Sequence, residues 1–219
     1  MIRVILTAFL ILLVTCGVCC TGTVVTSADR IKLEEVLGER PQITKVVQNN
    51  NAVIKFLLKS FTPRANGVRL VLSGSEPTGN ARADNLYLPD SKIIRIRVSE
   101  KIVPIDQLVA LVFEIYNSHN SEDLPNHHRR AMAGEISKKD YVHTILRDEH
   151  ECFLKTRQFI EQQLLTVGLN ADETDIVRKI LLCPEDYEDF LEYLKRPDIK
   201  RQDFNVINVY EEYYDFLRK

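Results

Sequence analysis

The chain has 219 residues, 29 of them basic and 31 acidic, for a formal net charge of −2; 45% of its side chains are hydrophobic and 27% charged. That balance excludes a disordered, collagen-like or multi-pass membrane chain, and the lack of a basic excess argues against nucleic acid as a partner. Arg3 is the one charged residue of residues 1–28, so residues 29–219 carry 28 basic and 31 acidic groups, a length suited to a single domain.

From Val4 to Ala28 the chain is uncharged, and its first half is strongly apolar. One basic residue ahead of such a run is the layout of a secretory signal, and the small and hydroxyl residues that follow suit a cleavage region. Residues 4–25 are also just long enough to cross a bilayer, so an uncleaved anchor is the alternative. Leu13-Val14-Thr15-Cys16 resembles a bacterial lipobox, with Thr15 where that motif has Gly, Ala or Ser; used as one, it would make Cys16 the lipidated first residue. The expectation is an exported protein (periplasmic, secreted or membrane-anchored), with residues 1–28 as signal peptide or anchor and residues 29–219 as one domain.

Asp29 to Leu37 has the spacing of a short helix closed by Gly38. After Pro41 the positions Ile43, Val46, Val47, Asn50, Ile54, Leu57, Leu58 and Phe61 keep a helical period as far as Thr62-Pro63. The period then changes to two. Val68–Leu72 and Ile93–Val98 are predicted strands, the second half-buried with Ile94, Ile96 and Val98 on one side and Arg95 and Arg97 on the other. Leu86-Tyr87-Leu88 is a further short strand candidate in the turn-rich connection between them. A strong helix is expected over Ile105–Asn117, started by Pro104 with Asp106 in its first turn. The polar stretch from Asn117 to His128 interrupts it. Ser137 then caps a long helix to about Val167, with Asp140 at its third position, and shorter helices follow near 172–182, 185–195 and 206–218. The predicted class is α+β: a small β-sheet followed by a helical bundle, mostly helical.

On the helix from Ile105, the residues Ile105, Leu108, Val109, Leu111, Val112, Ile115 and Tyr116 form one broad apolar face. Ala110, Glu114 and Asn117 fall opposite, with Phe113 at the border, so Phe113, Glu114 and Asn117 share a surface distinct from the main core. On the later long helix, Glu149 lies within the apolar stripe Tyr141, Ile145, Cys152, Thr156, Phe159 and Ile160. A carboxylate there needs a partner or a ligand.

A strand (IIRIRV), a short link and a helix beginning PIDQLVALVFEIYN resemble the zincin metallopeptidase layout, in which an edge strand precedes the helix that carries HExxH. The resemblance covers about residues 66–155 and places Phe113-Glu114-Ile115-Tyr116-Asn117 on that motif, followed by the small residue Ser118. It implies Glu114 as the general-base position and Glu149 as the match to the glutamate that a downstream helix supplies as third ligand in one branch of the family. The two imidazoles that grip zinc are replaced here by Phe113 and Asn117, and two carboxylates without them do not make a catalytic zinc site.

Each candidate also has a plainer role. Glu114 can be a solvated helix glutamate, Glu149 an interior carboxylate held by Arg129, Arg130, Arg147 or Arg157, and Asn117 a local backbone partner near the helix end. His127 and His128 are adjacent in a polar loop, His143 and His150 lie two helical turns apart, and His119 could approach the Asn117 cleft from a turn. Cys152 and Cys183 can pair in an oxidising compartment or stay as buried thiols. The acidic, Tyr-rich C-terminal helices pack on the core or form a protein-binding face. Together these expectations describe an exported, non-catalytic protein on a metallopeptidase-like scaffold, with no cofactor and no metal, that binds an unidentified protein or small ligand or serves in an envelope. Phe113, Asn117 and His119 are its candidate binding residues, and Glu114 and Glu149 its candidate catalytic ones. The alternative is a hydrolase with Glu114 as general base, helped by Glu149 or His119.

Overall fold

Capping side chains set the helix limits. The computed structural model describes residues 24–78, 81–165, 175–196 and 206–219; the N-terminal apolar run with Cys16, Cys19 and Cys20 lies outside them. In the first helix, Ser27–Leu37 (α1), the Thr26 hydroxyl accepts from the Asp29 N–H at 3.1 Å, while the Asp29 carboxylate accepts from the Thr26 N–H at 2.9 Å. This reciprocal cap meets donors that the helix itself leaves free.

The helical period after Pro41 covers two helices rather than one, Pro41–Val47 (α2) and Asn51–Ser60 (α3). Between them the Asn50 side chain accepts from the Val53 N–H at 3.1 Å and donates to the Gln163 carbonyl at 2.7 Å. Asn is a better helix start than a helix interior residue, so the apolar spacing ran unbroken across a real break.

Three strands follow: Arg69–Ser73 (β1), Ala83–Leu88 (β2) and Ile93–Val98 (β3). Their order is β1-β3-β2, with β3 parallel to β1 and antiparallel to β2. The strand that precedes the next helix is therefore central; β2 is the antiparallel edge, which corrects the edge position that the zincin layout implied for IIRIRV. Alternation is as expected: Ile94, Ile96 and Val98 are fully buried, while Arg97 on the other face bonds Asp84 of β2 through two nitrogens, each at 2.7 Å.

Pro104–Asn117 (α4) packs against β2, β3 and α2. Leu124–Ala133 (α5) is a helix where the sequence pattern expects only a polar break. Leu124 and Ala131 are its inward apolar contacts, too few to give a readable period, and Gly134 ends it in the left-handed region at φ 75°. Ser137 caps Lys138–Phe159 (α6) by accepting from the Asp140 N–H at 3.1 Å. One π-helical turn, Ile160–Leu164, prolongs α6; the expected end near Val167 lies outside the described residues. Asp175–Leu181 (α7), Tyr187–Lys195 (α8) and Val206–Leu217 (α9) complete the order. The protein is thus α+β and mostly helical.

Two apolar clusters result. One unites α1 to α4, the sheet, the end of α6 and α7; the other gathers Ala131, the first half of α6, Cys183 and α8, with α9 against it. Phe153 packs on both. Cys152 and Cys183 are free and buried, and burial pushes both thiols up to about 12, so of the two cysteine alternatives this structure has the buried thiols. No described helix is long and apolar enough to cross a membrane.

Candidate functional site

Helix α4 is covered on both sides. Its main face fills the sheet-side core, and its opposite face, Ala110, Phe113, Glu114 and Asn117, lines a cavity of about 1000 Å³. The second wall is the α6 stripe Tyr141, Ile145, Asp148, Glu149 and Phe153, spaced by three or four residues apart from the adjacent Asp148 and Glu149. Strand β2, α5, α7, α8 and α9 contribute the remaining sides. Phe113 meets Phe153 edge-on, with ring centroids 5.0 Å apart, where the two walls touch. Val209, Tyr213 and Phe216 of α9 line the cavity and are also exposed, at 38%, 40% and 67%, which makes its rim apolar.

Glu114 sits on the inner wall with 6% of its surface exposed. The Asn85 side-chain N–H2 donates to its carboxylate at 2.5 Å, and the Ser121 hydroxyl donates to the Asn85 carbonyl oxygen. That second bond occupies the acceptor end of the amide and turns its donor end towards Glu114. Burial raises the Glu114 carboxyl to about 7; Asn85 works against the rise, and the charges of Glu149 and Asp84 add to it. Glu149 is half-buried across the cavity and accepts a hydrogen bond from the Tyr210 hydroxyl. Burial raises it also to about 7, opposed by Tyr210 and reinforced by Asp148. The Tyr210 phenol is held well above its ordinary value by burial and by the charges of Glu149 and Glu114.

Among the described residues, neither carboxyl forms an ion pair. Both are met by neutral donors, the Asn85 amide and the Tyr210 hydroxyl. Two further polar groups of the cavity wall have no hydrogen-bond partner among the described residues: the Tyr141 hydroxyl, on a side chain with no exposed surface, and His127 Nδ1. Buried polar atoms are nearly always satisfied, so these two unpaired groups on residues of the cavity wall stand out. No cluster of three or more His, Cys, Asp or Glu side chains among the described residues could hold a metal ion.

The structure thus brings Phe113, Glu114, Asn117 and Glu149 to one concave space and leaves His119 out of it. His119 is exposed and lies near Arg64, Lys155 and Glu122. Glu114 is not the solvated helix glutamate that its position off the main apolar face suggested, because a second layer (α5, α6 and α9) covers that side. Glu149 is held by Tyr210, not by an arginine. Arg157 is engaged with the Cys183 carbonyl at 2.9 Å and with Glu185 at 2.5 Å, and Arg147 lies over the Tyr187 ring at 4.5 Å. His127 and His128 both line the cavity, which the reading of their segment as a loop missed; adjacent helix positions diverge by about 100°, and that still allows both to reach one broad wall. Asn85, Ser121 and Tyr141 were also missed. Asn85 lies outside the stretch that suggested a strand, and no local pattern ties it to Glu114.

No family model, curated protein or solved structure matches the chain.

Proposed function

We propose that the protein is a non-catalytic, small-molecule-binding protein whose site is the cavity between α4 and α6. One observation carries the reading: a cavity of about 1000 Å³, largely apolar, takes in two carboxyls and a fully buried hydroxyl without a partner. Ligand sites combine apolar walls with a few convergent polar groups in this way. Saturable one-to-one binding of Nile red, a neutral dye that fluoresces in apolar surroundings, is the expected result. It should be lost in Ala110→Phe, where the larger ring fills the space in front of Glu114. The absence of saturable binding, or binding indifferent to that substitution, would contradict the reading.

A degenerate zincin scaffold is part of the proposal. Support comes from α4 lying against the sheet, from the antiparallel edge strand β2 that supplies Asn85 to Glu114, and from the downstream helix α6 that carries Glu149 to the same cavity. With Phe113 and Asn117 in the imidazole positions, the protein is expected to purify without stoichiometric zinc; one tightly held zinc per chain in elemental analysis would reject this part. Export through residues 1–28 belongs to the same proposal. It predicts an N-terminus near residue 28, or a membrane-held chain, when protein from its natural host is examined by mass spectrometry; soluble material starting at Met1 would count against it.

A second reading, a hydrolase with Glu114 as general base, is favoured by the Glu114 carboxyl standing at about 7 in a ligand-sized cavity. It requires hydrolysis of an ester or peptide substrate that disappears in Glu114→Gln.

A further inference from the structure

The charged side chains of the cavity wall are mostly acidic, Asp84, Glu114, Asp148, Glu149 and Glu212 against Arg82 and Lys179. Glu114 receives the Asn85 amide and Glu149 the Tyr210 hydroxyl, so each carboxylate keeps lone pairs with no donor assigned to them. The Tyr141 oxygen is a further unpartnered group on the same wall. It packs against the rings of His128 and Tyr214, at centroid distances of 6.1 Å and 5.5 Å, and its side chain is fully buried. A ligand that completes this set brings hydrogen-bond donors and positive charge.

The rest of the wall sets the ligand's body. Phe113, Phe153 and the exposed Tyr213 and Phe216 are aromatic, and aromatic faces attract cations as well as apolar groups. A bare metal ion fits poorly: it needs several close oxygen or nitrogen ligands, and no described cluster of three such side chains could hold one. The space is also of the size that small organic molecules occupy. An anion would meet more carboxylates than cations along the wall, and a neutral alcohol offers a single donor.

We propose that the cavity takes an organic cation, a protonated amine carried on an aromatic or aliphatic body, with Glu114 and Glu149 as its counter-charges. The inference rests on the small-molecule-binding reading and adds the chemical class of the ligand. An ammonium group supplies three N–H donors for the lone pairs of the two carboxylates, while the body lies along the Phe113–Phe153 wall and leaves through the α9 rim. The raised carboxyls agree with this arrangement, because a nearby cation favours the ionised form that burial disfavours.

The test compares three ligands of nearly equal shape, phenylethylamine, phenylethanol and phenylpropionate, by calorimetric titration of the full chain at slightly alkaline pH. The amine should bind at least about tenfold more tightly than the alcohol, and the acid should not bind. In Glu114→Gln/Glu149→Gln the amine should fall to the level of the alcohol, with alcohol binding retained. Equal binding of amine and alcohol by the unmodified protein, or an amine preference that survives the double substitution, would overturn the inference. Nile red separates the two failures: dye binding without amine preference removes only the organic cation, and no binding of dye or amine removes the cavity reading as well.

Discussion

Arg40 and Glu114 are both charged side chains taken out of water, at 1% and 6% exposure, and the protein treats them in opposite ways. Arg40 lies at one end of the sheet and uses every guanidinium donor. Its Nε donates to the Val98 carbonyl at 2.8 Å, Nη1 to the Glu39 carbonyl at 2.7 Å and the Glu100 carboxylate at 3.0 Å, and Nη2 to the Gly74 and Ser75 carbonyls at 3.2 and 3.4 Å. Nothing about it asks for a further partner. Glu114 and Glu149 face a common cavity with neutral donors only, beside a buried hydroxyl that bonds nothing among the described residues. The difference teaches how to separate fold from site in this molecule. A buried charge whose bonds are complete holds the structure together, and one whose bonds are incomplete, opposite another of the same sign, belongs to a site.

The largest expected effect is on the structural side. Arg40→Met leaves the Val98, Gly74 and Ser75 carbonyls without their donor, and should destabilise the protein by roughly 3–5 kcal/mol in urea unfolding. A loss under about 1 kcal/mol would erase the distinction drawn above. On the site side the sign reverses with pH. Both glutamates are held at about 7 in the folded protein, above the ordinary 4.5, so the native chain keeps protons that the unfolded chain gives up. Their contribution to stability is complete below about pH 4.5 and is lost as pH rises through 7. Relative to wild type, Glu114→Gln should therefore gain stability between acid and mildly alkaline pH, by at most about 3 kcal/mol. Thermal unfolding across that pH range checks this, and parallel curves for the two proteins would contradict it.

Smaller effects sharpen the same contrast. Tyr210→Phe removes the donor to Glu149 and should destabilise by about 1 kcal/mol, while moving the Glu149 titration still higher. Smallest of all, the buried thiols should show themselves only by silence. Peptide mapping after alkylation should find Cys152 and Cys183 unmodified in the native protein and modified in denaturant; a disulfide-linked peptide containing both would contradict the structure.

Much of the fold was legible because the signals are local. The Ser137 cap, the alternation of β3 and the apolar faces of α4 and α6 depend on neighbours within a few residues. The wheel of α4 even separated Ala110, Phe113, Glu114 and Asn117 from the core, and those four line the cavity. Other features were hidden because they are made by contacts between distant segments. Asn50 lies in an unbroken apolar period and still starts a helix, α5 is a helix with almost no apolar period of its own, and Arg40 draws its partners from residues 39 to 100. The partner of Glu149 was out of reach for the same reason. Tyr210 is 61 residues away, whereas charge pairing pointed to arginines on α5 and α6.

The most direct measurement follows the two carboxyls themselves, by NMR of protein labelled with carbon-13 at the glutamate side-chain carboxyl. Two resonances should titrate near 7, one vanishing in Glu114→Gln and the other in Glu149→Gln. Saturation with phenylethylamine should pull both well below that value, since the bound ammonium holds the carboxylates ionised. If every glutamate titrated near 4.5, or if the two raised carboxyls ignored the amine, the account of this cavity as a site for a cationic ligand would be wrong.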